Sequence, residues 1–176
     1  ILAGGLGTRL QSILPNKQKV IAEVSGKPFI IYLLEWIQSY QAQRLILALG
    51  YHSSQVIQTL QASQEGLNNI KIIPSIETQP LGTAGALRNS FSHLRSDTIL
   101  VLNGDSFIKM DLSKLFKTHH TYQSYLTLGL AKVSDVSRYG EVKTNQDGLV
   151  TKFYEKSVEN TNSGKINAGV YVFRRS

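Results

Sequence analysis

Cysteine is absent from the 176 residues. That excludes a disulfide framework and any thiolate metal site, and it agrees with a cytosolic protein. No apolar run approaches the roughly 20 residues that a helix needs to cross a bilayer, and the first residues lack the pattern of a secretory signal. The expectation is therefore a cytoplasmic protein with no membrane partner. Acidic residues are the scarcer charge, 12 Asp and Glu against 19 Lys and Arg, leaving a formal charge of +7. Such an excess invites a nucleic-acid reading. Yet the basic residues stand singly or in pairs, with neither a basic run nor the aromatic interleaving of single-strand binders. Nucleic acid is not expected, and polyanionic small molecules account for the charge better. Internal repeats and low-complexity segments are also missing.

What is present is a chain 41% hydrophobic, enough for one sizeable core, so residues 1–176 read as a single domain. The chain starts inside a strand, and the domain is expected to be truncated at both ends. The opening stretch, ILAGGLGTRL, carries the strongest chemical signal. Ile1, Leu2 and Ala3 read as the end of a buried strand, and Gly4, Gly5 and Gly7 as a loop without Cβ atoms that can bring a ligand against the backbone. Thr8 adds a hydroxyl, and Arg9 adds a planar fork of donors suited to phosphate oxygens. The loop lacks the GK[ST] ending of the Walker loop and the third glycine of GxGxxG, which tells against ATPase and NAD-enzyme readings.

Along the chain, strand and helix patterns alternate. Residues 28–41 place Phe29, Ile30, Leu33, Leu34 and Ile37 on one helical face, with Pro28 in the first turn. A strand follows at 44–49. Ser53 or Ser54 is a candidate cap for a helix bearing Val56, Ile57 and Leu60, and a strand covers 69–73. A helix is expected over 83–94, a strand at 98–102, a helix capped by Asp111 and running to about His120, and a strand at 125–133. Uninterrupted apolar runs such as Ile99–Leu102 are typical of strands covered on both faces. Residues 141–144 and 149–154 read as a hairpin, and 166–173 as a last strand. The fold class is α/β: a Rossmann-like three-layer αβα sandwich with a mixed, mainly parallel central sheet.

Loops leaving the carboxyl ends of such strands are where chemistry gathers. In residues 79–85 (QPLGTAG), Gln79, Pro80, Gly82, Thr83 and Gly85 combine an amide with close backbone approach at a helix start. The same pattern also suits plain helix packing. In Asn103-Gly104-Asp105, a carboxylate directly after a buried strand is costly unless solvated, paired or on a metal, and a Mg²⁺ ligand is its natural role. Arg138-Tyr139-Gly140 precedes the hairpin and Glu155-Lys156 follows it, where an ordinary solvated charge pair is the plainer reading. Asn167 and Gly169 weaken the last strand, as a ligand close to that backbone would explain. His52, His93, His119 and His120 lack metal-ligand spacing and read as surface residues.

Taken together, LAGGLGTRL, the lysine motif at 14–20 (LPNKQKV), PLGTAGA, LVLNGD, RYG, the Glu155-Lys156 pair and the strand NAGVY resemble the sugar-1-phosphate nucleotidyltransferases, in that family's order. The resemblance is greatest to the guanylyltransferases acting on heptose 1-phosphate or mannose 1-phosphate. It implies the nucleotide-diphospho-sugar transferase fold and a reaction in which a nucleoside triphosphate, GTP by this likeness, and a sugar 1-phosphate give an NDP-sugar for surface polysaccharide, with release of pyrophosphate. It further implies that Leu2, Ala3, Gly4, Gly5, Gly7, Thr8, Arg9, Gln79, Pro80, Gly82, Thr83, Gly85, Asn103 and Gly104 hold the nucleotide. Arg9, Lys19 and Asp105 would be catalytic, Asp105 would hold Mg²⁺, and Gly140, Glu155, Lys156 and Asn167 would take the sugar phosphate. The chain departs from the family where Gln18 and Val20 replace the prolines flanking the motif lysine and Glu23 stands where another proline is common. The expectation is a less rigid loop around Lys19. The family's second metal-binding Asp falls further downstream than Phe173. Alternatives are a thymidylyl-, uridylyl- or cytidylyltransferase of the same family, or a regulatory module that binds nucleotide sugar without turnover. A metal-dependent glycosyltransferase would ordinarily need a DxD pair, and NGDS supplies Asp105 alone. Homo-oligomerisation is left open.

Overall fold

A computed structural model describes residues 1–5, 17–63 and 70–175. The chain forms two compact units, Ile1–Asp97 with Leu102–Phe107, and Thr98–Val101 with Ile108–Ser176.

The first unit is built on a parallel sheet of three strands in the order β1 (Leu2–Ala3), β4 (Arg44–Leu49), β5 (Lys71–Ile76). Leu2 and Ala3 pair with Ala48 and Leu49, and the whole of β4 pairs in register with β5. Leu45, Leu47, Ala48 and Leu49 are all buried, as expected of a strand with neighbours on both edges and cover on its faces. Between β1 and β4 lie a single 3₁₀ turn (Lys19–Ile21), a short antiparallel hairpin of β2 (Glu23–Val24) and β3 (Lys27–Pro28), and helix α1 (Phe29–Gln38). The helix buries Ile30, Leu33, Leu34 and Ile37 of the expected face, with Ile31 beside them, while Phe29 at its first position is only half-buried. Pro28 stands at its cap position, where the missing N–H costs nothing.

Helix α2 (Ser53–Ala62) starts without the expected serine cap. The cap position belongs to His52, which adopts left-handed backbone angles with φ of 57°. A tight turn from β4 into α2 sets that conformation, so turn geometry overrides the local preference for a hydroxyl cap. Strand β5 runs three residues beyond the expected end, to Ile76, and Asn69 lies outside the described residues. Helix α3 (Gly82–Asn89) ends before 94, because Phe91–His93 tightens into a 3₁₀ turn.

Strand β6 (Thr98–Leu102) has the predicted bounds. In the second unit, helix α4 (Leu112–Thr121) is capped by Asp111, whose carboxylate accepts from the amides of Ser113 at 3.0 Å and Lys114 at 3.3 Å. The second sheet joins β6, β10 (Gly164–Arg174), β8 (Glu141–Thr144) and β9 (Val150–Tyr154), with β7 (Leu126–Val133) also on β10. The β7, β8 and β9 pairings are antiparallel. Asn145 closes the β8–β9 hairpin by accepting from the Leu149 amide at 2.8 Å, and Gly148 supplies the positive φ of 82° that the turn requires.

His119 corrects an expectation. It is only 3% exposed, on the inner face of α4 with Leu112 and Leu115. Its Nδ1 sits 2.9 Å from Thr127 Oγ1 on β7. Burial, with the charges of His120 and Arg174 adding to it, lowers its pKa. Adjacent histidines on a helix face different ways, and here one of the two faces the core.

Leu34 is fully buried in α1. Leu34→Ala should cost about 2–5 kcal/mol, as transfer and cavity terms together demand, read as a lower midpoint with unchanged slope in urea denaturation. A loss under about 0.5 kcal/mol would show that this face is not core.

Candidate functional site

Parallel pairing puts the carboxyl ends of β1, β4 and β5 at one edge of the first sheet. A further parallel bridge joins Leu2 to Asn103, and the Gly104 amide donates to the Leu2 carbonyl at 2.7 Å. Four chain exits therefore open at that edge: Gly4-Gly5, Gly50, Glu77 and Asn103-Gly104-Asp105. Gly4, Gly5, Glu77, Asn103 and Asp105 among them line a cavity of about 490 Å³, a size suited to a small-molecule ligand. Leu2, Ala3, Gly4 and Gly5 line it from β1, and Gln18, Lys19 and Val20 from the 3₁₀ turn. Pro80, Gly82, Thr83 and Ala86 line it from α3 and the residues before it, with Glu77, Asn103 and Asp105 completing the wall.

The glycines here make room for specific atoms. A Cβ on Gly4 would fall 2.4 Å from Glu77 Oε1, and one on Gly50 would fall 2.8 Å from the same oxygen. A Cβ on Gly104 would meet the Leu2 carbonyl oxygen at 2.7 Å. Glu77 also accepts from the Leu81 amide at 3.3 Å, tying its carboxylate to the start of α3. Asn89 in turn anchors α3 to β5 through Ser75 Oγ at 3.1 Å and the Ile76 carbonyl at 3.3 Å.

Opposite charges meet within the cavity. Lys19 Nζ donates to Asp105 Oδ2 at 2.8 Å, and Ser106 Oγ donates to Asp105 Oδ1 at 3.1 Å. Burial pushes the Asp105 pKa up. The hydrogen bond and charge of Lys19, with the Ser106 hydroxyl and a backbone amide, outweigh it and hold the carboxyl below its usual 3.8. Both side chains remain partly exposed, 38% for Lys19 and 44% for Asp105, so each is open to an incoming ligand.

Of the residues implied by sequence, Leu2, Ala3, Gly4, Gly5, Lys19, Pro80, Gly82, Thr83, Asn103 and Asp105 line this one cavity. Gly104 is buried beneath it against β1. Gln79 is exposed and does not line the cavity, and Gly85 lies inside α3, where a Cβ would meet Leu81 Cβ at 2.6 Å. Gly7, Thr8 and Arg9 lie outside the described residues.

Gly140, Glu155, Lys156 and Asn167 belong to the second unit. A Cβ on Gly140 would stand 2.9 Å from the Tyr154 carbonyl oxygen, and Glu155 and Lys156 follow β9 as exposed residues. Asn167 accepts from the Gly169 amide at 2.9 Å and donates to Tyr171 Oη at 2.9 Å, while Gly169 takes a φ of 74°. The register against β7 shifts between Asn167 and Tyr171. The weak strand formers there make a β-bulge closed by the Asn167 side chain.

Sequence reasoning missed Glu77 and Gln18. Glu77 carried the same signal as Asp105, a carboxylate directly after an apolar strand, but it was hidden because β5 was expected to stop at 73.

A parallel sheet whose strand ends cradle a cavity of backbone, lysine and carboxylate defines a nucleotide-handling α/β protein, with the Rossmann-like fold of the nucleotide-diphospho-sugar transferases. The chain belongs to the nucleotidyl transferase family, whose model matches residues 1–176. It is 35% identical over its whole length to the D-glycero-alpha-D-manno-heptose 1-phosphate guanylyltransferase of Aneurinibacillus thermoaerophilus, covering 74% of that protein. It is 33% identical to the mannose-1-phosphate guanylyltransferase of Mycobacterium tuberculosis, over all of this chain and 48% of that one. The crystal structure of HddC from Yersinia pseudotuberculosis complexed with GMP-PN superposes with a TM-score of 0.86 at 34% identity, over 99% of this chain and 75% of that one.

Because the Asp105 pKa is depressed in the folded state, its pairing stabilises the fold above the usual carboxylate range, and that contribution is lost as pH falls through 3.8 toward the folded value. Stability measured by urea denaturation should therefore fall less steeply on acidification in Asp105→Asn than in the parent. Identical slopes would show that the Lys19 pairing has no energetic weight.

Proposed function

We propose that this chain transfers a guanylyl group from GTP to a heptose or mannose 1-phosphate, releasing pyrophosphate and leaving a GDP-sugar. The observation that carries the proposal is the cavity that gathers Gly4-Gly5, Lys19, Glu77 and Asp105 at one sheet edge. The names of the relatives and the GMP-PN complex of HddC support the choice of reaction and base.

In the proposed reaction, an oxygen of the sugar 1-phosphate attacks the α-phosphorus of GTP in line, the bond to the β-phosphate oxygen breaks, and pyrophosphate leaves. No covalent nucleophile is needed, so the protein acts by holding two polyanions together and offsetting the charge that develops. Gly4 and Gly5 let the triphosphate lie against main chain. Lys19 brings a point charge to its phosphates, and Arg9 is assigned to the departing pyrophosphate. Gly140, Glu155, Lys156 and Asn167 are assigned to the sugar phosphate.

Members of this family typically use a divalent metal. Among the described residues no cluster of three or more His, Asp or Glu could hold one unaided. A single ionised carboxylate is nevertheless what Mg²⁺ needs when phosphate oxygens supply further ligands, and Asp105 is held ionised and partly open. Asp105 would hold the metal, which when bound supplies charge neutralisation at the phosphates.

Glu77 supports guanine as the base. A carboxylate only accepts hydrogen bonds, and guanine offers adjacent donors at N1 and the exocyclic N2, whereas uracil and thymine offer a single ring N–H. The substrates are small molecules, in keeping with scattered basic residues, and the protein is assigned to the cytoplasm. Among the described residues no helix is long and apolar enough to cross a membrane.

A pyrophosphate-release screen over four nucleoside triphosphates and a panel of sugar 1-phosphates should select GTP with heptose or mannose 1-phosphate. Tight GTP binding without turnover on any sugar 1-phosphate would instead indicate a binding module. Asp105→Ala should abolish Mg²⁺-dependent release, and near-normal turnover in that variant would sink the metal assignment. Glu77→Gln should narrow the preference for GTP by about tenfold or more, within the 1–3 kcal/mol of a bidentate base contact; an unchanged preference would place base selection elsewhere.

A further inference from the structure

Gln18 precedes the cavity lysine, and its side chain is almost entirely buried, at 4% exposure. Burying a glutamine costs rotamer entropy and the hydration of an amide, so a position that merely filled space would favour an apolar side chain. The Gln18 amide instead donates through Nε2 to the carbonyl of Tyr51, 33 residues away. Tyr51 sits in the tight turn between β4 and α2, and the neighbouring Gly50 packs so closely on the first loop that a Cβ there would fall 2.8 Å from the Gly4 carbonyl oxygen. The bond thus ties the segment before Lys19 to the wall that carries the glycine loop.

Beyond that tie, the chain enters its 3₁₀ turn at once. Gln18 has φ of −67° and ψ of 135°, and its carbonyl accepts from the Ile21 amide at 3.1 Å. Val20, on the other side of the lysine, is 3% exposed and packs toward Gly104. Lys19 therefore leaves the backbone between two buried neighbours, one held by packing and one by a directed hydrogen bond, and its ammonium reaches Asp105 at 2.8 Å.

We propose that Gln18 is a positioning residue for Lys19: its buried amide, bonded to the Tyr51 carbonyl, fixes the direction from which the lysine enters the cavity. The role rests on the assignment of Lys19 to the phosphates made above. It acts through the lysine, so its loss should matter only while the lysine is present.

A double-mutant cycle in the full-length protein tests this. Gln18→Met keeps the buried volume and removes the amide. With Lys19 present it should lower kcat by roughly 10- to 100-fold, the penalty of a misplaced charge, with the KM for sugar 1-phosphate unchanged. Once Lys19→Ala has removed the lysine, the same substitution should change kcat by less than about twofold. Gln18→Glu is the second variant. Its carboxylate repels the Tyr51 carbonyl, while its protonated form can donate to it, so its rate relative to the parent should climb as pH falls from about 8 to 5.5. Equal losses from Gln18→Met in both lysine backgrounds would overturn the proposal and leave the role of Lys19 standing, as would a parental kcat in Gln18→Met. A parental kcat in Lys19→Ala alone would remove the lysine's role and this one together.

Discussion

The first unit depends on the double pairing of a two-residue strand. Leu2 and Ala3 lie in parallel register with Ala48 and Leu49 on one side, and Leu2 bridges Asn103 in parallel on the other. Parallel strands share a direction, so everything that leaves their carboxyl ends leaves at the same edge. The glycine loop, the turn at Gly50, Glu77 and Asp105 are scattered over about a hundred residues of sequence and converge for that reason alone. The pairing also explains Gly104: its amide must reach the Leu2 carbonyl, and the space a Cβ would need is taken by that same oxygen.

Within this frame each charged side chain of the cavity has a partner before any ligand arrives. Lys19 and Asp105 satisfy each other, and Glu77 is held by the Leu81 amide in space left by Gly4 and Gly50. Under the proposed function the two sets would meet different parts of the nucleotide. The lysine and Asp105, partly exposed, would face the phosphates and their counter-ion, whereas Glu77, set against backbone, would accept from the paired donors of a planar base. The second unit gathers its own candidates differently, on an antiparallel sheet whose longest strand is broken by the Asn167 bulge.

Much of this was legible in the sequence because several elements carry self-contained signals. Strands 44–49, 98–102 and 141–144 are short apolar or alternating runs bounded by breakers, and their limits match the structure. Asp111 announced its helix because a cap is a local hydrogen bond. What stayed hidden depends on partners distant in sequence. The hairpin of β2 and β3, Glu23 to Pro28, spans too few residues to show a period. His52 takes a left-handed cap because a turn requires it, and His119 is buried by the strand it packs on. Gln18 read as a loss of rigidity, since the amide bond to Tyr51 that secures it spans 33 residues. Glu77 was obscured by a misplaced strand end, although a charge directly after a strand was already the criterion that singled out Asp105.

Under the proposed function the cavity of the first unit receives the nucleoside triphosphate. A crystal structure of the protein with Mg²⁺ and a non-hydrolysable GTP analogue tests it most directly. The expected result is phosphates against Gly4 and Gly5 within reach of Lys19, the metal on Asp105, and the guanine edge on the Glu77 carboxylate. An analogue bound with full occupancy at any other surface, with the Lys19–Asp105 cavity empty, would contradict it.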